Sequence, residues 1–417
     1  MLSKPIWAIA KRVSSGLTPL RSNPEFWLNG TIPWLKTEQL GEKLIYSTTE
    51  KISEVAFRKT SIKVYPPNTL SVAMYGEGKT RGNVSIIKRE MATNQACCNI
   101  ELDPELADFE YVYYFLKTQY NELRSLSSGV RKNLNSDDIK NFVVRLPKNL
   151  KEQKKIAEAL SVLDAKMDCN KRINVELEAM VKTLYDYWFV QFDFPSVDGK
   201  PYKSSGGKMV YNTLLKREIP EGWMDGTLDD LGRIVGGSTP STENAGNFTA
   251  NGTPWITPYD LSGNQGNKFI ASGSLDVSDE GIKDASLKKV PVGTVLFSSR
   301  APIGYMAIAR TELTTNQGFK SFIPNNGYST EFIYYTVKGS LKTITSYASG
   351  STFKEVSAAV LKTVKIVLPD ASVVDQFSAS VASVFKRQDL LEQENQHLTQ
   401  LRDWLLPMLM TGQVKVA

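Results

Sequence analysis

The chain has 417 residues, 41% hydrophobic and 23% charged, with a formal net charge of +6. At roughly 150 residues per domain this is two or three domains of ordinary globular composition, which excludes a disordered chain. No stretch approaches the roughly 18 to 20 uninterrupted apolar residues of a spanning helix, so no membrane association is expected.

Histidine and cysteine narrow the chemistry further. His397 is the single histidine and lies in a Gln/Glu/Asn-rich helical stretch. A His/Cys zinc site, a Ser-His-Asp triad and a Cys-His dyad all need a histidine held by a fold, so neither a catalytic nor a metal site is expected. Cys97, Cys98 and Cys169 are too few for a disulfide framework and point to a reducing compartment. Cys97-Cys98 sits in an apolar run, and neighbours on a strand face opposite ways, which is poor for chelation. Met1-Leu2-Ser3-Lys4-Pro5-Ile6-Trp7 has no apolar core followed by a small-residue cleavage site, so a cytoplasmic location is expected. The mild positive charge is compatible with nucleic acid without demonstrating it.

An internal repeat is the strongest signal. Lys11-Arg12-Val13-Ser14-Ser15-Gly16-Leu17-Thr18-Pro19 returns as Gly232-Arg233-Ile234-Val235-Gly236-Gly237-Ser238-Thr239-Pro240, and 240 − 19 is 221. Trp34 of Asn29-Gly30-Thr31-Ile32-Pro33-Trp34 returns as Trp255, again 255 − 34 = 221. Thr93-Asn94-Gln95 returns as Thr315-Asn316-Gln317 (315 − 93 = 222), Ser128-Gly129 as Ser349-Gly350 (349 − 128 = 221) and Leu146-Pro147 as Leu368-Pro369 (368 − 146 = 222). The chain is a tandem duplication.

Each copy opens with a Gly/Pro/Ser/Thr/Asn-punctuated region. In the first, Thr69–Tyr75, Asn83–Ile87 and Phe142–Leu146 read as strands and Glu110–Leu126 as a helix. In the second, the strands are Thr294–Phe297, Tyr305–Ala309 and Val364–Leu368 and the helix is Glu331–Tyr347. Each copy closes with a long helix. Ile156, Leu160, Leu163, Met167, Leu177, Val181, Leu184 and Trp188 step by threes and fours, as do Phe377, Val381, Val384, Leu391, Leu398 and Leu405, the pattern of a coiled-coil seam. Forty such residues reach about 60 Å. Asn174 and Asn395 occupy the same repeat position in the two seams (395 − 174 = 221). The helices either pair with each other, the simplest arrangement for two equivalent helices, or pack on a large domain. The Pro/Gly/Ser/Lys-rich stretch from Asp193 to Glu221 reads as a linker that lets the second globular domain sit away from the first.

Two catalytic motifs fail. Gly78-Lys79-Thr80 resembles the end of a phosphate-binding loop, but the required earlier glycine is Ala73. Tyr65-Pro66-Pro67-Asn68 reverses the Asn-Pro-Pro-Tyr of amino-methyltransferases, and no Gly-x-Gly cofactor loop follows a strand upstream.

The constellation resembles the specificity (S) subunit of type I restriction–modification enzymes over essentially the whole chain. Glu218-Ile219-Pro220-Glu221-Gly222-Trp223 with Gly236-Gly237-Ser238-Thr239-Pro240-Ser241 is similar to the opening of that family's target-recognition domain. Val290–Leu296 with Ser299-Arg300-Ala301-Pro302-Ile303-Gly304 is similar to its central motif. Leu401-Arg402-Asp403-Trp404-Leu405-Leu406-Pro407 to Gly412 looks like the end of its last helix. The first copy departs from the pattern: it lacks the Ile-Pro-Glu-Gly-Trp lead-in and has Tyr75–Gly82 as its central motif.

The resemblance implies an α+β fold of two target-recognition domains, each followed by a long helix, the helices paired as an antiparallel coiled coil with pseudo-two-fold symmetry. The corresponding boundaries are 1–149, helix 150–192, linker 193–222, 223–369 and helix 370–412. It implies a non-catalytic chain that reads a bipartite sequence in double-stranded DNA, one half per recognition domain, with the gap set by the coiled coil. Half-sites on one face of the duplex lie about one turn, roughly 34 Å, apart. The expected partners are two modification (methyltransferase) subunits and restriction/translocase subunits, which carry the S-adenosylmethionine, ATP and Mg; this chain is expected to bind no cofactor itself.

Base edges are read by Arg, Lys, Asn, Gln and Ser/Thr, and phosphates by basic and hydroxyl groups. The Gly-punctuated loops therefore nominate Ser14, Ser15, Thr18, Lys36, Lys79, Arg81, Arg131 and Lys132 for DNA contact in the first copy. The second copy supplies Ser238, Thr239, Thr257, Tyr259, Arg300, Ser351, Thr352 and Lys354. The alternative for any of them is an ordinary solvated loop residue. Asn94-Gln95 and Asn316-Gln317 are either contacts or a shared structural turn. Tyr185, Tyr187, Trp188, Phe189, Phe192, Trp404, Leu405, Leu406 and Pro407 exceed what one seam can cover; they either dock partner subunits or pack inside this chain. The rival functions are a coiled-coil scaffold that binds proteins through its globular domains and an enzyme with an unrecognised site.

Overall fold

The computed structural model describes residues 1–76, 78–126, 133–300, 302–348 and 355–416. The chain forms two compact units, Met1–Asp168 with Gln396–Ala417, and Cys169–Asn395. Both long helices, Leu150–Tyr185 and Ala371–Thr411, contribute a segment to each unit.

In the first unit a five-stranded sheet runs in the order Ala10–Ser15, Cys97–Leu102, Leu70–Ala73, Val84–Ile87, Leu44–Ile45, with only the last pair parallel. A four-stranded sheet follows the order Glu50–Ile52, Ile32–Leu35, Met91–Thr93, Val64–Tyr65. Leu2–Pro5 pairs with Val143–Leu146 in a separate ribbon. The helix Phe109–Thr118 is capped by Asp108, whose carboxylate accepts the Tyr111 N–H at 2.9 Å. All six side chains from Tyr111 to Leu116 are buried. A helix apolar all round belongs in an interior, and this one joins Leu70, Val72, Val84, Ile86 and Ile100 of the sheet to Ile156, Leu160, Leu409 and Met410 of the long helices in one core.

The second unit repeats this plan. Its five-stranded sheet has the order Gly232–Gly236, Lys320–Pro324, Val295–Phe297, Met306–Ala309, Phe269–Ile270. Its four-stranded sheet runs Phe248–Thr249, Leu275–Val277, Thr253–Ile256, Thr314–Thr315, and its ribbon pairs Met224–Thr227 with Lys365–Leu368. The interior helix is Thr330–Gly339, capped by Ser329. The single helix expected in each copy is broken once, at Gln119 and at Ser340, which are again 221 apart.

Within each unit the helix segments pair antiparallel. In the first, Arg402 Nη1 reaches Asp164 Oδ1 at 3.1 Å and Thr399 approaches Met167. In the second, Asn170 Nδ2 donates to Glu394 at 2.8 Å and to Asn395 at 3.0 Å, Gln388 Nε2 lies 3.4 Å from the Asn174 carbonyl, and Tyr185 meets Phe377 edge-on. Partner numbers fall on one helix as they rise on the other. Ile156, Leu160, Met167, Val181 and Trp188 are buried at seam positions, but so are the polar Asn170, Asn174, Gln388 and Glu392.

Two sequence expectations change. The stretch 193–222 is folded. Phe194 stacks on Tyr202 at 4.6 Å and on Trp223 at 4.9 Å, and Met209–Asn212 forms a hairpin with Arg217–Pro220. Pro, Gly and Ser mark turns, but whether the turns join packed segments depends on the few apolar residues between them. The aromatic run is largely interior: Tyr185, Trp188, Phe189 and Phe192 lie in the core of the second unit with Tyr187 packed against it. A π-helical turn, Asp186–Val190, widens the helix end and directs Phe189 onto Phe332 at 4.8 Å. Leu405 and Leu406 pack against the core of the first unit, whereas Trp404 is 63% exposed and Pro407 is exposed.

The repeated motifs have matching roles. Trp34 Nε1 donates to the Leu17 carbonyl and Trp255 Nε1 to the Ser238 carbonyl, both at 3.1 Å. A Cβ on Gly16 would lie 2.2 Å from the Thr93 carbonyl oxygen, and one on Gly237 2.1 Å from that of Thr315. Gly16→Ala and Gly237→Ala should each therefore cost about 1–3 kcal/mol through overpacking against backbone. Urea denaturation checks this; unchanged midpoints would show that the turn can yield.

Candidate nucleic-acid interface

The candidate contact loops collect at one edge of the sheets. In the first unit strands end there at Ser15, Leu35, Ala73 and Thr93 and restart at Val84 and Cys97. Backbone hydrogen bonds stitch the loops together: Gly16 N–H to Cys97 O, Leu17 N–H to Thr93 O, Asn94 N–H to Leu35 O and Met74 N–H to Ala96 O. In the second unit Ser238 N–H reaches Thr315 O, Asn316 N–H reaches Ile256 O and Ser299 N–H reaches Gly318 O. Thr18 donates to Gln95, and Thr239 to Gln317. The Asn94 carboxamide accepts the Ala96 N–H and that of Asn316 the Gly318 N–H. The Thr-Asn-Gln repeats are thus a shared structural turn, with the Gln side chains engaged by the chain itself.

The nominated residues divide accordingly. Ser14 Oγ is bonded to Tyr65 OH and Ser15 Oγ to Ser136 Oγ. Lys36 is clamped between Glu38 at 2.6 Å and Glu50 at 2.8 Å, which raise its pKa in that order. Thr257 caps the helix Pro258–Gly263 in a reciprocal pair with Asp260, and the Ser238 carbonyl holds Trp255. These residues build the edge. Lys79 and Tyr259 are exposed on it. Arg81 is half-buried in the loop before Val84. That loop is braced from behind: Arg124 Nη1 donates to the Gly78 carbonyl at 2.9 Å and the Arg81 carbonyl at 3.3 Å, and Tyr120 OH to the Lys79 carbonyl at 2.7 Å. Gly82 and its counterpart Gly304 turn the loop at φ +87° and +98°, in the left-handed region that favours glycine. Arg300 occupies the matching loop, 3.6 Å from Glu355 and beside Gly318. Arg131, Lys132, Ser351, Thr352 and Lys354 lie outside the described residues.

Sequence reasoning missed Lys320 at this edge, whose ammonium lies 3.2 Å from the Phe319 carbonyl and whose pKa burial lowers. Cys97 and Cys98 are fully buried, and burial pushes both thiols up to about 12, the behaviour of core residues. His397 is exposed.

Sequence reasoning also missed how each recognition domain is held on its helix segments. In the first unit Lys43 Nζ contacts Tyr114 OH at 2.7 Å, Ser161 Oγ at 3.0 Å, Glu110 at 3.2 Å and Asp164 at 3.5 Å, while Tyr114 OH donates to Asp164. In the second, Lys268 Nζ contacts Glu178 at 2.7 Å, Gln388 at 2.8 Å and Tyr335 OH at 3.0 Å. Tyr335 OH also donates to Glu178 at 2.7 Å. Glu392 accepts the backbone N–H groups of Lys268 and Phe269 at 2.7 and 3.0 Å. Burial would raise Glu178, but Lys268 and then Lys338 outweigh it and hold the carboxyl at about 2. Burial pushes Glu392 the other way, up to about 7, against those N–H groups and Arg310. A repeated signal was present in the Tyr113-Tyr114 and Tyr334-Tyr335 pairs, 221 apart. The lysines are 225 apart (268 − 43), so insertions hide their equivalence.

A family model described as the type I restriction modification DNA specificity domain matches residues 9–179 and 220–400, one match per copy. The chain belongs to this family. The type I restriction enzyme MjaIX specificity subunit of Methanocaldococcus jannaschii is 39% identical over 186 residues, 42% of this chain and 42% of that protein. The HindI specificity subunit of Haemophilus influenzae is 26% identical over 349 residues, 71% of this chain and 74% of that relative. The chain therefore spans less than half of the first relative and about three quarters of the second. The crystal structure of a type I restriction-modification S subunit from M. genitalium shares the fold, with a TM-score of 0.61 over 98% of this chain and 95% of that one at 17% identity. Within the specificity-domain fold, the repeated turns are scaffold and the loops they carry differ between the copies. Among the described residues no helix is long and apolar enough to cross a membrane.

The Glu178 pairing carries a pH signature. Its carboxyl sits at about 2 in the fold against an ordinary 4.5, so the unfolded chain takes up the proton first. The stabilisation is complete above about pH 4.5 and is lost as pH falls toward 2, on the order of 3 kcal/mol in all. Glu178→Gln should flatten that part of the stability–pH curve measured by urea titration; an unchanged curve would show that the contact is not ionic.

Proposed function

We propose that this chain is the sequence-reading subunit of a type I restriction–modification complex and recognises a bipartite target in double-stranded DNA. Each recognition domain reads one half through its loop edge, and the paired long helices set the gap. One observation carries the reading: the same glycine-turned loop at the same sheet edge, twice, on a family fold, with Lys79 and Arg81 in one copy and Arg300 in the other. A shared frame with unlike cations suits two readers of different base sequences, since arginine and lysine pair with guanine edges and phosphates.

On this reading the chain performs no chemistry. Two modification subunits with S-adenosylmethionine and restriction/translocase subunits with ATP and Mg dock on it in the cytoplasm, and the exposed Trp404 and Pro407 are available for docking. A protein-binding scaffold forecasts a much shallower fall of affinity with salt, because its partner lacks the condensed counterions that a phosphate backbone releases on binding.

The decisive measurement is a genome-wide map of methylated adenines in cells expressing the modification partner, with and without this chain. One split motif should vanish on deletion; an unchanged map overturns the proposal. In binding assays Arg300→Ala should lose about 1–3 kcal/mol of discrimination at a single base pair, and Lys79→Ala should lower the salt slope by about 1. If neither affinity nor preference moves, those residues are not contacts.

A further inference from the structure

We infer that Lys43 and Lys268 are positioning residues that lock each recognition domain at one angle on its helix segments, and so keep the tolerated gap between half-sites narrow. The inference rests on the function proposed above. Both lysines precede the short parallel strand at the sheet edge, Leu44–Ile45 and Phe269–Ile270. Both ammonium groups reach the second member of the Tyr-Tyr pair on the interior helix and a carboxylate on the first long helix: Tyr114 and Asp164 in one unit, Tyr335 and Glu178 in the other. The same three chemical groups meet twice although the lysines lie off the common repeat spacing, so the contact follows the geometry of the dock.

The chemistry selects one docked position. Lys268 is only 4% exposed, and sliding the domain by a few ångströms would separate its buried ammonium from Glu178 and Gln388, the two groups that the long helices supply. Apolar packing alone is non-directional and tolerates such slips. Glu392, accepting the Lys268 and Phe269 N–H groups, and Arg310 at the end of the neighbouring strand, bonded to Asp389 at 2.5 Å, tie this sheet edge to the second long helix. The domain is thereby gripped by both helices of its unit. Gripped in this way, a recognition domain presents its half-site reader at a fixed distance along the helices.

The test is methylation in cells that co-express this chain with its modification subunit, read by sequencing a plasmid library in which the two half-sites are separated by every gap within three base pairs of the native one. Lys268→Met should raise methylation at gaps one base pair too long or too short by about tenfold relative to the native gap, a factor worth about 1.4 kcal/mol, with both half-site sequences unchanged. Glu392→Gln, which keeps the side-chain volume, should act in the same direction and serves if Lys268→Met does not accumulate. Val277→Ala lowers stability in the same unit from a separate apolar cluster and should keep the gap narrow. A native gap profile in the two dock variants, or equal broadening by Val277→Ala, overturns the inference while leaving the specificity reading intact. If the wild-type chain directs no split motif, both fall together.

Discussion

A charge taken out of water must find its partner, and in this protein that demand organises the junction between recognition domain and helix. Lys268 and Glu178 face each other in a setting where most neighbours are aromatic: Phe385 lies 4.0 Å beneath the ammonium, with Tyr335 and Tyr334 a little farther off. Breaking such a pair costs more than the pair gains over apolar packing, so its main effect is selection of one arrangement. The helix seam is built in the same way. Asn170 and Asn174 lie where leucines would pack more tightly, and Asn170 finds its partners on the facing helix at one register only.

Around those junctions the two copies share whatever the backbone needs. The Trp34 and Trp255 indoles hold the same carbonyl, Gly16 and Gly237 leave the same lack of room, and the Thr-Asn-Gln turns close with the same bonds. What differs is the loop sequence that the turns position, Tyr75–Gly82 against Ser299–Gly304, and one strand position, filled by the buried Cys98 in the first copy and by Lys320 in the second. The frame is thus common to the two copies while these loops are not.

Much of this was legible in the residues. The tandem spacing, the strands around Val72 and Ile308, the two long helices and the interior position of Cys97-Cys98 all follow from pattern and composition. Less legible was which side of an amphipathic or aromatic segment meets solvent. The run from Tyr185 to Phe192 contains more apolar surface than a seam needs, and nothing in its spacing reveals that a π turn delivers it onto Phe332 and Phe377. Several nominated loop residues proved to be builders for a related reason: Thr257 and Lys36 look like contacts until Asp260 and Glu50, distant or unremarkable in sequence, are placed beside them.

The duplication, the α+β class and the two long helices could be read along the chain, because each is a matter of residue type and local period. Tertiary packing was needed to show that 193–222 is folded and carries a hairpin, that most of the aromatic run is core, and that Lys43 and Lys268 meet Tyr114–Asp164 and Tyr335–Glu178. The hairpin is local, but the last two outcomes depend on groups separated by tens to hundreds of residues. Local pattern fixes how a segment can present its side chains, while the partner that satisfies a buried charge or covers an aromatic face is chosen by packing.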